Sequence, residues 1–256
     1  MFTFEKIKLD VKNQLAHIIL SDPPSNYLTM QMLGELEEAL DWLAAQLDLR
    51  AVILSASGAS FCSGADFSEH NRVMVFSIVE RFRAICRLLL NIECPTLAVV
   101  DGKIRNWGCD LLLCFDTVLA GDQATFRYDD LRAGTFPALA PLLLAERTGE
   151  KKLLRLLHEG AEFGTEQALE LDFVSHAYPR EELVQQLKKV LGSFTRYSQP
   201  IQKLFLKNMR RRRVHLMDAF ADDIFTEYLN LLVEFRDYEE GIQAWTEKRA
   251  PQWKNE

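Results

Sequence analysis

Residues 96–110 read TLAVVDGKIRNWGCD, an apolar run followed by a loop that contains two glycines. A short run without polar alternation is typical of a strand buried on both faces of a sheet. The same order occurs earlier, where the apolar run 51–54 leads to the loop 60–66, SFCSGAD. Glycine in a strand-exit loop lets the backbone approach a ligand closely. An ordinary turn explains either loop alone equally well, so the two loops are at this point a candidate site only.

Apolar residues at helical spacing separate the predicted strands. Thr29 is a candidate N-cap, and the residues that recur after it at this spacing are Met32, Leu33, Leu36, Leu40, Leu43 and Leu47. A second helix is predicted in the seventies and eighties, and a further buried strand at 117–120. Near the N-terminus, strands 7–11 and 15–20 are predicted to form a hairpin that turns at Asn13 and Gln14. Strands that alternate with helices indicate an α/β fold with its active site where strands end.

The strand signal fades from about Leu183 onward. Helices are predicted over 181–191, 199–213 and 215–248, the last with a break near Asp237. We therefore divide the chain into a core, residues 1–192, and a helical C-terminal region, residues 193–256.

The charge balance restricts the partners that the protein can have. The formal net charge of the 256 residues is −7, whereas a nucleic-acid binder normally presents a basic surface. The one strongly basic run, residues 210–213, consists of four arginines and is predicted to be an exposed helix face. No nucleic-acid partner is expected.

Several other classes of protein are disfavoured by absent signals. The five cysteines are odd in number and match no zinc spacing, so neither a disulfide framework nor a metal site is predicted. The segment 1–6 lacks the apolar core of a signal peptide, and the longest apolar stretch, near 138–145, is too short to span a bilayer. No Gly-x-Gly-x-x-Gly follows a strand and no Gly-x-Ser-x-Gly elbow occurs. We expect a cytoplasmic protein without a membrane partner.

Taken together and in order, these segments resemble the enoyl-CoA hydratase/isomerase (crotonase) superfamily. The segments that carry the resemblance are 23–26 (PPSN), 51–55 (AVILS), 61–66 (FCSGAD), 94–102 (CPTLAVVDG), 108–111 (GCDL), 114–116 (CFD), 124–126 (ATF) and 244–253 (AWTEKRAPQW). The resemblance covers nearly the whole chain. It implies a crotonase-type spiral of ββα units with a helical C-terminal appendage, assembled as a homo-trimer or homo-hexamer. The loop 61–65 and the tail look most similar to cyclic dienoyl-CoA hydratases.

The resemblance gives the two glycine loops a role. In this family two backbone amides stabilise the negative charge that develops on a thioester oxygen, and the matching amides are those of Ala65 and Trp107. The family usually has glycine at positions 106 and 107, so the Trp107 indole either packs in the core or reshapes the acyl pocket. The substrate contacts that the resemblance implies are Cys62, Gly64, Asp66, Gly108, Phe136 and, for the coenzyme A phosphates, Lys248 and Arg249.

The resemblance also implies an acid/base pair. Hydratases of this family use two glutamates that hold a water between them, and the matching positions are Asp110 and Asp130. Asp129 is a register alternative for Asp130. Aspartate withdraws each carboxyl by about one bond length relative to glutamate, and a misplacement of that order can reduce a rate by about a hundredfold. Arg127 and Tyr128 also depart from the family pattern, and both place larger side chains near the acyl pocket.

The activity that the resemblance implies is the addition or removal of water across a conjugated enoyl thioester, with an alicyclic acyl group as one form of the substrate. No covalently bound cofactor is expected, because coenzyme A is part of the substrate; an acyl-carrier protein is the alternative carrier. Other chemistry on the same fold (isomerisation, hydrolysis or decarboxylation) and a catalytically degenerate acyl-thioester-binding protein remain as alternatives.

Overall fold

The computed structural model describes residues 3–70 and 73–256. Two β-sheets form the centre of the fold. The strands are β1 Ile7–Lys12, β2 Leu15–Leu20, β3 Ala51–Ala56, β4 Ser60–Cys62, β5 Thr96–Val100, β6 Lys103–Arg105, β7 Thr117–Gly121, β8 Thr125–Arg127, β9 Phe163–Gly164 and β10 His176–Tyr178. The helices are α1 Met30–Ala44, α2 Val75–Asn91, α3 Trp107–Leu112, α4 Ala145–Thr148, α5 Glu150–Glu159, α6 Thr165–Glu170, α7 Leu183–Thr195, α8 Gln199–Leu216, α9 Asp222–Asn230 and α10 Arg236–Thr246. Short 3₁₀ helices occupy Phe67–Glu69, Asp130–Ala133, Arg180–Glu182 and Leu232–Glu234, and π-helical turns occupy Ala140–Leu144 and Met217–Ala221.

The chain winds between the two sheets in a repeating order. The larger sheet has the strand order β1-β2-β3-β5-β7-β10, and the smaller sheet has the order β4-β6-β8-β9. A long strand of the first sheet is followed by a short strand of the second and then by a helix, as in β3-β4-α2 and β5-β6-α3. Parallel pairing of β3, β5 and β7 aligns the ends of these repeats on one side. The fold is therefore the expected α/β spiral of ββα units with helices at the C-terminal end.

Local sequence signals account for the first repeat. Asn13 and Gln14 both adopt positive φ in the turn, and Lys12 pairs with Leu15 across the hairpin. Thr29 caps α1 by accepting a hydrogen bond from the Met32 amide over 3.1 Å. The predicted apolar face of α1 is buried as far as Leu43. Leu47 is the exception: α1 ends at Ala44, and Leu47 is 74% exposed.

The prediction that residues 210–213 form an exposed face is wrong for Arg210 and Arg213. Arg210 is 3% exposed and donates to both carboxylate oxygens of Asp116 and to the carbonyl oxygens of Ile92 and Cys94. Arg213 donates to the same carboxylate over 2.8 Å. Burial alone would raise the pKa of Asp116, but its bonds to Arg210 and the nearby Arg213 charge hold that pKa below its ordinary value. These ion pairs hold α8 against the loop that follows α3 and, through Asp116, against the start of β5.

The C-terminal helices differ in detail from their prediction. α7 runs through position 192 and ends at Thr195, and Leu183 and Leu191 pack on the larger sheet. The predicted break near Asp237 lies slightly earlier, at the short turn 231–235 that separates α9 from α10. The domain division at residue 192 remains a prediction.

The remaining predicted features concern cysteines and membrane spans. All five cysteines are free and buried, and burial raises the pKa of the Cys62 thiol to about 12. Within residues 3–70 and 73–256, no helix combines the length and the apolar character needed to cross a bilayer. Met1 and Phe2 of the N-terminal segment lie outside the described residues.

Candidate active site

The two glycine loops lie side by side because the strands before them are neighbours. β4 pairs in parallel with β6, so the chain leaves both strands at the same edge of the smaller sheet. Gly64 has φ +85°, and a Cβ built there would lie 3.0 Å from the Arg105 carbonyl oxygen and 3.3 Å from the Trp107 nitrogen. A Cβ at Gly108 would lie 2.7 Å from the Cys62 carbonyl oxygen. The close approach of the two loops therefore requires glycine at positions 64 and 108.

The amides of Ala65 and Trp107 are placed at this contact. Trp107 is the first residue of α3, so its N–H has no intrahelical acceptor. Ala65 forms a parallel bridge with Leu28, in which the Leu28 amide donates to the Gly64 carbonyl over 2.8 Å. Neither the Ala65 amide nor the Trp107 amide donates to another residue within 3–70 or 73–256. Both donors are thus available to a ligand.

Asn106 connects the second glycine loop to the segment that carries Asp130. It adopts φ +48° and ψ −121°, a conformation that side chains rarely take and glycine takes readily. Its side chain offsets this strain by accepting a hydrogen bond from the Asp129 amide over 2.6 Å, and its own amide donates to the Arg127 carbonyl. The strained residue therefore ties the start of α3 to residues 127–129.

Asp110 is fully buried on α3 and accepts three hydrogen bonds. Its Oδ2 accepts from the Leu139 amide over 3.0 Å, and its Oδ1 accepts from the Ala140 amide and the Tyr128 hydroxyl, each over 3.1 Å. Burial raises the pKa of Asp110 to about 6, and these donors limit the rise. The Ala138 amide is a further nearby donor that lowers this pKa. Asp110 is therefore ionised above about pH 6.

Asp130 is buried without any such donors. It is 1% exposed, and neither carboxyl oxygen has a hydrogen-bond partner among the described residues. Burial raises its pKa well above the ordinary value, and the nearby charges of Asp110 and Asp129 raise it further. Asp129 differs, because its carboxylate lies 2.6 Å from the Arg127 guanidinium. Asp130 is therefore the carboxyl of the pair whose surroundings favour the protonated form, whereas Asp110 has donors that favour its ionised form.

The Trp107 indole is buried in a cluster of aromatic side chains. It stacks on Phe82 of α2 with ring centroids 4.5 Å apart and an interplanar angle of 24°. His70 lies at 5.6 Å and Tyr228 of α9 at 6.1 Å. The structure therefore places the indole in the core, one of the two sequence alternatives, and a role for Trp107 in shaping an acyl pocket remains a prediction.

Comparison with known proteins identifies the family of the chain. The family model described as enoyl-CoA hydratase/isomerase matches residues 10–256. The chain belongs to the enoyl-CoA hydratase/isomerase family. A Danio rerio relative, "Enoyl-CoA hydratase domain-containing protein 3, mitochondrial", is 27% identical over 94% of this chain and 85% of its own length. A Bacillus subtilis (strain 168) relative, "Probable enoyl-CoA hydratase", is 26% identical over 98% of this chain and 99% of its own.

A solved structure supports the fold of this family member. The crystal structure of an enoyl-CoA hydratase from Bacillus halodurans superposes with a TM-score of 0.88. It covers 94% of this chain and 100% of its own, at 20% identity. The architecture of the enoyl-CoA hydratase/isomerase family is thus preserved along nearly the entire chain.

The other residues that are expected to contact substrate in this enoyl-CoA hydratase/isomerase family member do not all lie at the candidate site. Cys62 and Phe136 lie at the site, the first against Gly108 and the second 5.5 Å from the Tyr228 ring. Asp66 instead caps the turn Phe67–Glu69 by accepting from the Ser68 amide. Arg249 pairs with Glu240 over 2.5 Å and with Glu247 over 2.6 Å. A coenzyme A phosphate at Arg249 would have to compete with two carboxylates, whereas Lys248 remains the better candidate.

The sequence does not reveal the residues that lower the pKa of Asp110 by donating hydrogen bonds to it. The Leu139 and Ala140 amides come from a turn about thirty residues later in the chain. The sequence identifies Tyr128 only as a bulky departure from the enoyl-CoA hydratase/isomerase pattern, yet its hydroxyl donates to Asp110. No local pattern reveals such a contact. The only available signal was the position of Tyr128 two residues before Asp130.

Proposed function

We propose that this protein hydrates a conjugated enoyl thioester, with the amides of Ala65 and Trp107 as the oxyanion hole and Asp110 and Asp130 as base and acid. The observation that carries this proposal is a pair of buried carboxyls near the two glycine loops with different surroundings: Asp110 accepts three hydrogen bonds, and Asp130 accepts none from the described residues. Environments that separate the pKa values of two carboxyls are how active sites assign an acid and a base.

The amides would act on the thioester oxygen. Polarisation of the carbonyl places negative charge on this oxygen as the acyl group becomes enolate-like. Two preorganised N–H donors stabilise that charge more strongly than they stabilise the neutral ground state, and one such donor contributes about 3–4 kcal/mol. Because the donors belong to the main chain, the indole at position 107 leaves the Trp107 amide able to fill this role.

The carboxyls would carry the two proton transfers. Asp110, ionised, accepts a proton from the water whose oxygen bonds to the β-carbon, while the π electrons of the double bond move toward the thioester. Asp130, protonated, donates its proton to the α-carbon. The net change is one water added, one C–O bond and one C–H bond formed and one π bond lost; exchange with solvent then returns the two carboxyls to their starting states.

Finer features of the substrate and the assembly are part of the same proposal. The acyl group in this proposal is alicyclic, and coenzyme A supplies the thioester with Lys248 near its phosphates. A homo-trimer or homo-hexamer is supported by apolar side chains of α8 that are 58–71% exposed in a single chain, namely Ile201, Leu204, Phe205 and Met209. Light scattering would measure the assembly. A cytoplasmic location remains a prediction.

A panel of linear and cyclic enoyl-CoA thioesters tests the activity. We expect the near-ultraviolet absorbance of the conjugated double bond to fall as water adds, and product analysis to show a β-hydroxyacyl thioester. A shifted double bond in the product would indicate isomerisation, and free acid would indicate hydrolysis. Tight binding of acyl-CoA without any turnover would identify a degenerate binding protein. Absence of both binding and turnover would refute the coenzyme A assignment itself.

The pH dependence of kcat/KM should be bell-shaped. Asp110 must be ionised to act as base, so activity should rise as pH increases through about 6. Asp130 must keep its proton, so activity should fall again at higher pH, where its raised pKa is reached. Initial rates across a buffer series of constant ionic strength measure both limbs. A profile that is flat between pH 5 and pH 7 would contradict Asp110 as the base.

A Tyr128→Phe variant should move the acid limb of that profile to higher pH. The hydroxyl donates to Asp110 Oδ1 over 3.1 Å and so favours the ionised carboxylate. A hydrogen bond to a charged group contributes about 1.5–3 kcal/mol, which corresponds to a shift of about 1–2 pH units. Tyr178→Phe, a half-buried tyrosine on β10, is the matched control and should leave the limb unchanged. If the acid limb of the profile of Tyr128→Phe stays at the wild-type pH, the hydroxyl does not stabilise the ionised form of Asp110 and Tyr128 contributes packing alone.

A further inference from the structure

The Trp107 indole occupies a defined volume beside the proposed oxyanion hole. The side chain is 1% exposed, and its three aromatic neighbours lie at centroid distances of 4.5–6.1 Å. Rings at 4.5–7 Å are in direct contact, so no chain of methylene groups fits between them. The rings come from separate elements, with Phe82 on α2, His70 after the turn Phe67–Glu69, and Tyr228 on α9.

This cluster lies on the acyl side of the site. The backbone nitrogen of Trp107 is a proposed donor to the thioester oxygen, so the indole begins three bonds from the atom that would hold the carbonyl. The Tyr228 ring contacts both the indole, 6.1 Å away, and Phe136, 5.5 Å away, and burial is the main cause that raises the pKa of its hydroxyl. If the thioester oxygen binds at the Trp107 amide, the carbons beyond the β-position of a long acyl group would meet this aromatic cluster.

Some buried polar atoms in and beside this aromatic cluster also lack hydrogen-bond partners among the described residues. Among the described residues, the Asp130 carboxyl, the Tyr228 hydroxyl and the His70 Nε2 atom are buried without a hydrogen bond. Burial lowers the pKa of His70 to about 4, so its imidazole is neutral. Buried polar groups are nearly always paired in proteins, and exceptions call for an explanation such as a functional site. A surface of this kind suits a compact acyl group more than a long alkyl chain.

We propose that Trp107 is the residue that restricts the acyl group to short chains, by filling the space that the carbons beyond the β-position of a long acyl group would occupy. This inference rests on the proposed function. It concerns a side chain where the family usually has glycine, and it predicts that the length preference is set by a single indole. Removing the indole would leave a cavity within this aromatic cluster, beside the Trp107 amide.

The test compares the wild type with Trp107→Ala in the full chain. Binding of butyryl-CoA and decanoyl-CoA is measured by calorimetry, and turnover of the corresponding four-carbon and ten-carbon enoyl-CoA thioesters is measured in parallel. We expect the wild type to favour the four-carbon ligand and Trp107→Ala to shift the preference toward ten carbons by about 10–200-fold, the range that hydrophobic pockets achieve. Phe173→Ala, which removes a ring buried against Phe126 and Phe163, controls for general loosening of the core.

A second readout does not depend on catalysis. Apolar cavities left by deleted core side chains bind small aromatic molecules, so free indole should raise the melting temperature of Trp107→Ala and restore its preference for four carbons. Trp107→Phe, a smaller deletion, serves if Trp107→Ala does not fold, and should shift the preference in the same direction to a smaller extent.

The outcomes separate this inference from the function on which it rests. An unchanged length preference in both Trp107 variants, or an equal shift in Phe173→Ala, overturns the role of Trp107 while leaving the activity intact. Binding without turnover refutes the hydratase, yet the ratio of the two binding constants still decides the role of Trp107. If no acyl-CoA binds to any variant, the proposed function and this inference both fail.

Discussion

An Asp130→Asn variant should lose hydratase activity by about 10²–10⁴-fold, the contribution typical of a positioned general acid. The amide is nearly isosteric with the carboxylic acid, but it cannot deliver a proton to the α-carbon. The fold should tolerate the change, because the Asp130 oxygens make no hydrogen bond that the variant could lose. Initial rates on the best enoyl-CoA of the panel measure the loss. Activity within a factor of three of the wild type would remove Asp130 from the mechanism.

The same variant should change how stability depends on pH. A carboxyl whose folded-state pKa is raised contributes stability below its unfolded pKa, and this contribution is lost as pH rises toward the folded pKa. Burial raises the pKa of Asp130 well above 3.8. The wild type should therefore lose about 1.4 kcal/mol per pH unit from this group above about pH 4. Asp130→Asn lacks this titration, so its stability relative to the wild type should increase with pH in urea titrations.

Asp110→Asn provides the contrast that separates chemistry from folding. It should also abolish activity, because the base is gone. Unlike Asp130, however, Asp110 accepts from the Leu139 and Ala140 amides and the Tyr128 hydroxyl. An amide presents an NH₂ group toward donors, so at least one buried donor loses its acceptor at a cost of about 1–3 kcal/mol. A lowered free energy of unfolding in Asp110→Asn but not in Asp130→Asn at neutral pH is the expected pattern.

Replacing Asp116 with alanine should lower the free energy of unfolding by about 3–5 kcal/mol, because it leaves buried positive charge without its partner. Asp116 is the carboxylate shared by Arg210 and Arg213, and its side chain is 13% exposed. The lost contacts also hold α8 on the core. Urea unfolding followed by circular dichroism measures the change.

Two matched substitutions test whether the loss of stability in Asp116→Ala depends on the burial of the charged groups. Asp48→Ala removes an exposed aspartate, and Arg211→Ala removes the exposed neighbour of Arg210. Each should change the free energy of unfolding by no more than about 0.5 kcal/mol, whereas Arg210→Ala should approach the loss seen for Asp116→Ala. Similar small effects for Arg210 and Arg211 would show that the ion pairs of Asp116 contribute little to stability.

The parts of the fold that the sequence predicts are those governed by near neighbours. The hairpin turn at Asn13 and Gln14 and the cap at Thr29 depend on a few adjacent residues, and the structure confirms both. Leu47 continued the apolar spacing of α1 but lies beyond its end. The prediction that residues 210–213 form an exposed face was wrong for a different reason. The carboxylate that pairs with the buried Arg210 belongs to Asp116, which lies 94 residues earlier in the chain.

The candidate site was predictable only as far as the resemblance extends. It predicted which residues lie at the two strand exits, and the pairing of β4 with β6 brings these exits together. It could not predict that Asp110 is tied to residues 139 and 140 while Asp130 is left unpaired. These environments arise from packing between distant segments, and they shift the pKa values of the two carboxyls to different extents. The proposed roles of base and acid rest on that difference.

Because all five cysteines are buried, the rate at which a thiol reagent modifies them can report unfolding of the native chain. A thiol reagent such as a maleimide can attack only after the surrounding structure opens, and burial raises the pKa of both Cys62 and Cys94 to about 12. The alkylation rate would therefore follow the opening of the core rather than the intrinsic reactivity of the thiols. A cysteine introduced on the surface, in turn, would accept a fluorophore selectively, without prior removal of the native thiols.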